Sequence, residues 1–280
     1  MKPFAEFCKR DPSFWANTKL ISETIGYSDR KTKKLKRYEI EDIISAFKMR
    51  KISYAHVYER KTNITTAFGK DILAYLNKRS ETIEKDIKPN LMDRAEAKKE
   101  FEAIQKGAKH SCYLPMNKQK GEKKHYMYMT GIVNMLTEEA LGGVHFDDNP
   151  KGLMVITKEG RPFRTLSRWM DGAYPRLVDP IAVWETKEYY GTTTFGSRVA
   201  DGVYETMLDG HELLELEAQA GRKISHYLVV DDRFTWWTKG KSYLCRIVDI
   251  LNMGLVDEVL FGKEVLSRWQ DIVRSWKKSD

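Results

Sequence analysis

The chain has 280 residues, 41% of them hydrophobic and 31% charged, the composition of a soluble globular protein with room for one large or two ordinary domains. No apolar run approaches the ~20 residues of a membrane-spanning helix, and the opening Met1-Lys2-Pro3-Phe4-Ala5-Glu6 lacks the apolar core of a signal peptide. The net charge of +8 is uneven: residues 1–125 hold 29 Lys+Arg against 17 Asp+Glu (+12), and residues 126–280 hold 19 against 23 (−4), which concentrates attraction for polyanions in the first part.

In chain order, the spacing of apolar residues predicts helices over Ser13–Glu23 and Tyr38–Met49, the second through Ile40, Ile43, Ile44 and Phe47. Between them Arg30, Lys31, Lys33, Lys34, Lys36 and Arg37 place six cations in eight residues. Such a run neutralises phosphates and makes affinity depend steeply on salt, but it does not read base sequence. A solvated surface loop is the plainer alternative. Thr66–Asn77 repeats the helical spacing, and Leu91–Ile104 reads as a charged helix begun by Lys88-Pro89-Asn90. Polar, glycine-containing Asn117–Lys124 is the natural linker, so a mainly helical, basic region 1–125 is expected to precede a second region, 126–280.

Met129–Leu141 reads as a helix stopped by Gly142-Gly143. Strands are expected at Gly152–Thr157, Thr165–Asp171 and Pro180–Lys187, followed by a helix from Val199 to Leu208 and a buried strand at Ser225–Asp231. Trp236-Trp237, Tyr243–Met253 and Val259–Trp276 supply packing helices and core. Strands alternating with helices in this order imply an α/β fold, a mixed β-sheet flanked by helices.

One spacing carries chemistry. Residues i and i+2 of a strand share a face, so Glu185 and Lys187 emerge side by side at the end of Ile181-Ala182-Val183-Trp184, with Thr186 opposite. An apolar strand has no structural need for two opposite charges at one end. Asp171 lies upstream, and with Glu185 it offers the hard oxygen ligands that Mg²⁺ prefers. A lysine beside them polarises an attacking water and offsets negative charge in a phosphoryl transition state. An ordinary surface ion pair is the competing interpretation.

At Met170-Asp171-Gly172, Asp179-Pro180, Glu185-Thr186-Lys187 and the polar Tyr190–Arg198 loop, the chain resembles the PD-(D/E)xK nuclease superfamily, and within it the type II restriction endonucleases. The likeness covers about residues 130–275, with Met170 where the family's proline would sit, and Asp179 competes with Asp171 for the first acid. The resemblance implies Asp171 and Glu185 as Mg²⁺ ligands, Lys187 as the residue that orients or helps deprotonate water, and hydrolysis of double-stranded DNA at specific sequences. Glu138 or Glu139, on the helix before the sheet, would be further acids of that kind. Ser197 and Arg198, at the mouth of a helix, are candidate phosphate contacts, beside the basic run. Symmetric cutting implies a homodimer, with a heteromer as the variant for an asymmetric site. A structure-specific or repair nuclease of the same superfamily, an RNA-directed nuclease and a non-catalytic DNA-binding protein are the alternatives. Cys8, Cys112 and Cys245 show no CxxC spacing, which suits a reducing cytoplasm and argues against a disulfide scaffold or a zinc site.

Overall fold

The computed structural model describes residues 1–8, 10–29, 31–116, 125–190 and 196–277. In the N-terminal region the helix ends are written into the sequence. Helix α1 (Pro12–Ile25) opens with Pro12 and with Asp11 accepting the amides of Ser13 and Phe14; it stops at Gly26, whose φ of 95° suits a residue without Cβ. Helix α2 (Ile40–Met49) starts with a Glu39/Asp42 capping box. A short hairpin that the sequence did not announce, β1 (Tyr58–Glu59) and β2 (Ile64–Thr65), leads into α3 (Ala67–Thr82). From there a π-helical turn, Ile83–Ile87, continues into α4 (Lys88–Asn90). Phe14, Ile21, Ile43, Phe47, Ile72 and Tyr75 form the core of this region. Helix α5 (Arg94–Gly107) packs elsewhere: its Ala97 and Phe101 join the core beneath the second region, although the sequence groups them with the basic part.

Helix α6 (Tyr128–Leu141) is buried almost all round and ends at Gly142 in the left-handed conformation, as expected from Gly142-Gly143. Strands β3 (Val155–Lys158) and β4 (Arg161–Thr165) form a separate antiparallel hairpin. Residues expected to be a strand over Thr165–Asp171 are instead a connection, and β5 (Gly172–Tyr174) begins one residue after Asp171. It pairs antiparallel with β6 (Ala182–Glu188), which pairs parallel with β7 (Ser225–Asp231), and β8 (Glu258–Phe261) completes the order β5-β6-β7-β8. The sequence concealed β8 because four apolar-rich residues ahead of a helix carry no period of their own.

Parallel pairs require crossovers, and both run over one face of the sheet: α7 (Ser197–Ala220), then a π-helical turn, Arg233–Lys239, with α8 (Lys241–Asn252). Val183, Leu228, Val230 and Val259 pack beneath them. The opposite face meets α6 and α9 (Glu264–Trp276), where Trp184 stacks on Trp276 and meets Trp269 edge-on. The fold is therefore mixed α/β, a mixed sheet between helical layers. Covered on both faces, β6 and β7 are almost wholly buried, so any charge on them must find its partners inside the protein. Among the described residues no helix is long and apolar enough to cross a membrane. Cys8, Cys112 and Cys245 are free thiols.

Candidate active site

The sequence-predicted triad meets at the β5–β6 pair. Asp171 is tied to β6 from both ends of the residue: its amide donates to the Trp184 carbonyl at 3.1 Å, and its Oδ2 accepts the Thr186 amide at 2.7 Å. Glu185 and Lys187 project from β6 toward α7 and are 1% and 8% exposed. Lys187 Nζ contacts Glu185 Oε2 and lies 2.9 Å from Glu205 Oε2.

Helix α7 adds two acids the sequence reading did not single out. Glu205 and Asp209 are one turn apart, hence on one helix face. Arg168, from the connection between β4 and β5, joins them to the strand. Its Nη1 donates to Glu185 Oε1 and to Asp209 Oδ2 (2.7 Å), and its Nη2 to Glu205 Oε2 (3.1 Å). Gly202 permits this approach, since a Cβ there would stand 2.6 Å from the Tyr189 hydroxyl and 3.4 Å from Lys187 Cδ.

Four carboxylates (Asp171, Glu185, Glu205, Asp209) thus share two cations (Arg168, Lys187), leaving two negative charges in excess when all are ionised. Burial, reinforced by the Glu185 charge, pushes Asp171 up to about 6 and Asp209 up to about 7. Burial also acts to raise Glu205, but Lys187 and Arg168 outweigh it and hold this acid below its ordinary value. For Lys187 burial favours the neutral amine; Glu185 and Asp171 overcome it and keep the ammonium charged.

Asp209 Oδ1 is buried and has no hydrogen-bond partner among the described residues. Unspent negative charge and an unused carboxylate lone pair, in a set of hard oxygen donors, suit a cation such as Mg²⁺. Asp171 and Glu185 are the residues that would hold it. Among the described residues no group of three or more His, Cys, Asp or Glu side chains could hold a metal by itself. Mg²⁺ commonly takes one or two carboxylates and completes its shell with phosphate and water.

The other sequence candidates go elsewhere. Asp179 lies before the opposite end of β6, accepting Thr157 N and Oγ1 at 2.8 and 2.6 Å and pairing with Arg222 at 2.8 Å, so it fastens a loop. Glu138 accepts the Ser111 amide at 3.0 Å, and Glu139 pairs with His110 at 2.9 Å, both at the far end of α6. Glu188, the next outward residue of β6, turns to the start of α6 and accepts Met129 N (3.1 Å), Thr130 N (2.9 Å) and Thr130 Oγ1 (2.7 Å). Ser197 and Arg198 are exposed in the first turn of α7, and the Arg198 carbonyl accepts the Tyr189 hydroxyl at 3.2 Å.

The described residues of the basic run form a tight turn closed by a Ser28–Leu35 bridge, with Asp29 accepting the amides of Lys31 and Thr32. Lys31, Lys33, Lys34 and Arg37 are exposed, while Lys36 pairs with Asp42 at 2.9 Å. Arg30, the loop 191–195 and the linker residues 117–124 lie outside the described residues. Leu35 of the turn shares a core cluster with Trp236. Trp236 Nε1 donates to the Lys187 carbonyl at 3.2 Å, and neighbouring Trp237 has Lys88 and Lys241 at 4.7 and 4.4 Å from its ring. Burial, then the charges of Lys88 and Lys33, lower Lys241 below the usual lysine value against the pull of Glu84.

No curated protein and no solved structure matches this chain. The profile of a domain of unknown function, DUF7690, matches residues 1–86, ending at the π-helical turn after α3. Residues 92–276 hold α5, the sheet, its flanking helices and the whole acidic cluster, and over them the chain belongs to the family described as a domain of unknown function, DUF7687.

Proposed function

We propose that the chain is a Mg²⁺-dependent endonuclease of the PD-(D/E)xK kind that hydrolyses double-stranded DNA at specific sequences, as type II restriction enzymes do. The observation that carries this reading is the convergence of Asp171, just before β5, with Glu185 and Lys187 of the adjacent β6, in a buried cluster with more carboxylates than cations. Mg²⁺ bound there would polarise the scissile phosphate and lower the pKa of an attacking water. Asp171 and Glu185 are the residues that would hold it. Lys187, kept charged by its neighbours, donates hydrogen bonds to the attacking water or to a phosphate oxygen and stabilises developing negative charge. Proton abstraction is then not its role while both carboxylates remain unneutralised.

The cations of the 31–37 turn, with Lys88 and Lys241, supply phosphate contacts near the carboxyl end of β6, and Ser197 and Arg198 supply others at the start of α7. Two-strand cleavage calls for two copies on a palindromic site, or one copy beside a different partner. The test is incubation of the purified protein with a sequenced plasmid and Mg²⁺, with the fragment ends mapped. Discrete bands support a restriction enzyme, cutting at branched or damaged structures supports a repair-type nuclease, and uncut DNA removes the hydrolytic reading. The competing reading is a non-catalytic DNA-binding protein, favoured by the three ion pairs of Arg168, which hold α7 to the sheet without a metal. It retards DNA on a gel and leaves it intact.

A further inference from the structure

Arg168 stands apart in the cluster because it contacts three of its four acids. Its guanidinium reaches Glu185 on the strand and both Glu205 and Asp209 on the helix. It comes from a connection, not from a strand or helix, and its side chain is 23% exposed, whereas Glu185 and Asp209 are 2% and 0% exposed at theirs. Glu185 and Asp209 are therefore fixed in the interior, whereas Arg168, like the 41% exposed Glu205, has a path to solvent. Carboxylates brought together without a cation repel one another, and burial removes the water that would screen them.

We infer that Arg168 is an internal stand-in for the divalent cation: it holds the carboxylates together in the metal-free protein and is displaced from Glu185 when Mg²⁺ binds. The inference rests on the proposed reading of this cluster as a cation site. Two features support competition over cooperation. Arg168 occupies Glu185 Oε1, an oxygen the cation would need, and a guanidinium beside a divalent ion repels it. Asp209 Oδ1 remains unpartnered among the described residues despite the guanidinium at Oδ2, so a single planar fork leaves this acid incompletely neutralised.

The experiment is calorimetric titration of Mn²⁺ into the DNA-free wild-type protein and into the Arg168→Gln, Arg168→Lys and Glu185→Gln variants. Removing the competitor is expected to tighten Mn²⁺ binding about tenfold in Arg168→Gln, a change equivalent to ~1.4 kcal/mol. Arg168→Lys keeps a charge but loses the fork, so its affinity falls between the two. The same exchange appears in thermal denaturation: Arg168→Gln melts below wild type in chelator and gains more from Mn²⁺ than wild type does. Should Arg168→Gln prove too unstable to titrate, Arg168→Lys and the chelator-against-Mn²⁺ comparison decide. Equal or weaker binding by the arginine variants overturns the inference and leaves the cation site standing, provided Glu185→Gln binds less than wild type. No binding by any of the proteins removes the cation site and, with it, this role for Arg168.

Discussion

Glu185 and Glu188 lie three residues apart on one strand, the first buried and the second half-buried, and their surroundings are opposite. Glu188 meets the start of α6, where two amides and a hydroxyl turn toward it. A helix N-terminus offers unsatisfied donors and the positive end of the macrodipole, so one acid and one helix end complete each other. Glu185 meets side chains instead: two cations that are also claimed by three other acids. The first arrangement is closed, with nothing left to bind. The second keeps charge and a lone pair in reserve. Burial alone therefore does not distinguish a structural acid from a chemical one; the distinction lies in whether its partners are used up.

The largest effect expected from this contrast is on cleavage. Glu185→Ala or Lys187→Ala lowers the rate of plasmid cutting by about 10²–10³ or more, the scale of losing one transition-state stabiliser, while the variants still retard the DNA substrate on a gel. Undiminished cutting by both variants would falsify the assignment. The companion change, Glu188→Ala, acts on stability. It strands the Met129 and Thr130 amides in the interior and costs about 1–3 kcal/mol in urea denaturation, while the protein that remains folded cuts at the wild-type rate. Loss of activity without loss of stability in this variant would erase the difference between the two acids.

A smaller effect concerns pH. Burial outweighs the hydrogen bonds to Glu188 and pushes its carboxyl up to about 7, and the same cause raises Asp231 to about 7. Between their unfolded values, near 4, and about 7 these two acids hold more protons in the folded protein than in the unfolded one, so their contribution to stability falls as pH rises through that window. Glu188→Gln removes one such contribution, so its stability rises more with pH, or falls less, than that of wild type. A Glu188→Gln stability that climbs less steeply with pH than wild type would mean that the helix terminus, not burial, governs this acid. The smallest effect belongs to the surface. Replacing Lys31, Lys33, Lys34 and Arg37 by Ala reduces the slope of log affinity against log salt by roughly 0.9 for each phosphate contact removed. An unaltered slope takes the turn off the DNA-facing surface.

Much of the α/β order was legible because long periodic segments announce themselves: α6 and β7 fall almost where apolar spacing and the Gly142-Gly143 stop place them. Glu185 and Lys187 were legible through a two-residue period. Arg168 was not, because a connection has no period and its partners are set by tertiary packing. Glu205 and Asp209 did leave a mark, the four-residue spacing of one helix face, but α7 extends to Ala220 rather than ending near Leu208, which left Asp209 outside the expected helix. Short β8 and the β1–β2 hairpin were hidden by length. The strand expected over Thr165–Asp171 failed because the hairpin consumes its start and the turn toward β5 its end.

Gly202 has no charge, yet it sets how near two ionic partners can come. A methyl group at that position would press on the Tyr189 hydroxyl and the Lys187 stem, and the rigid rod carrying Glu205 and Asp209 would have to lift away from the strand. The smallest side chain in the neighbourhood thus fixes the spacing on which the ionic contacts of Glu205 and Asp209 depend.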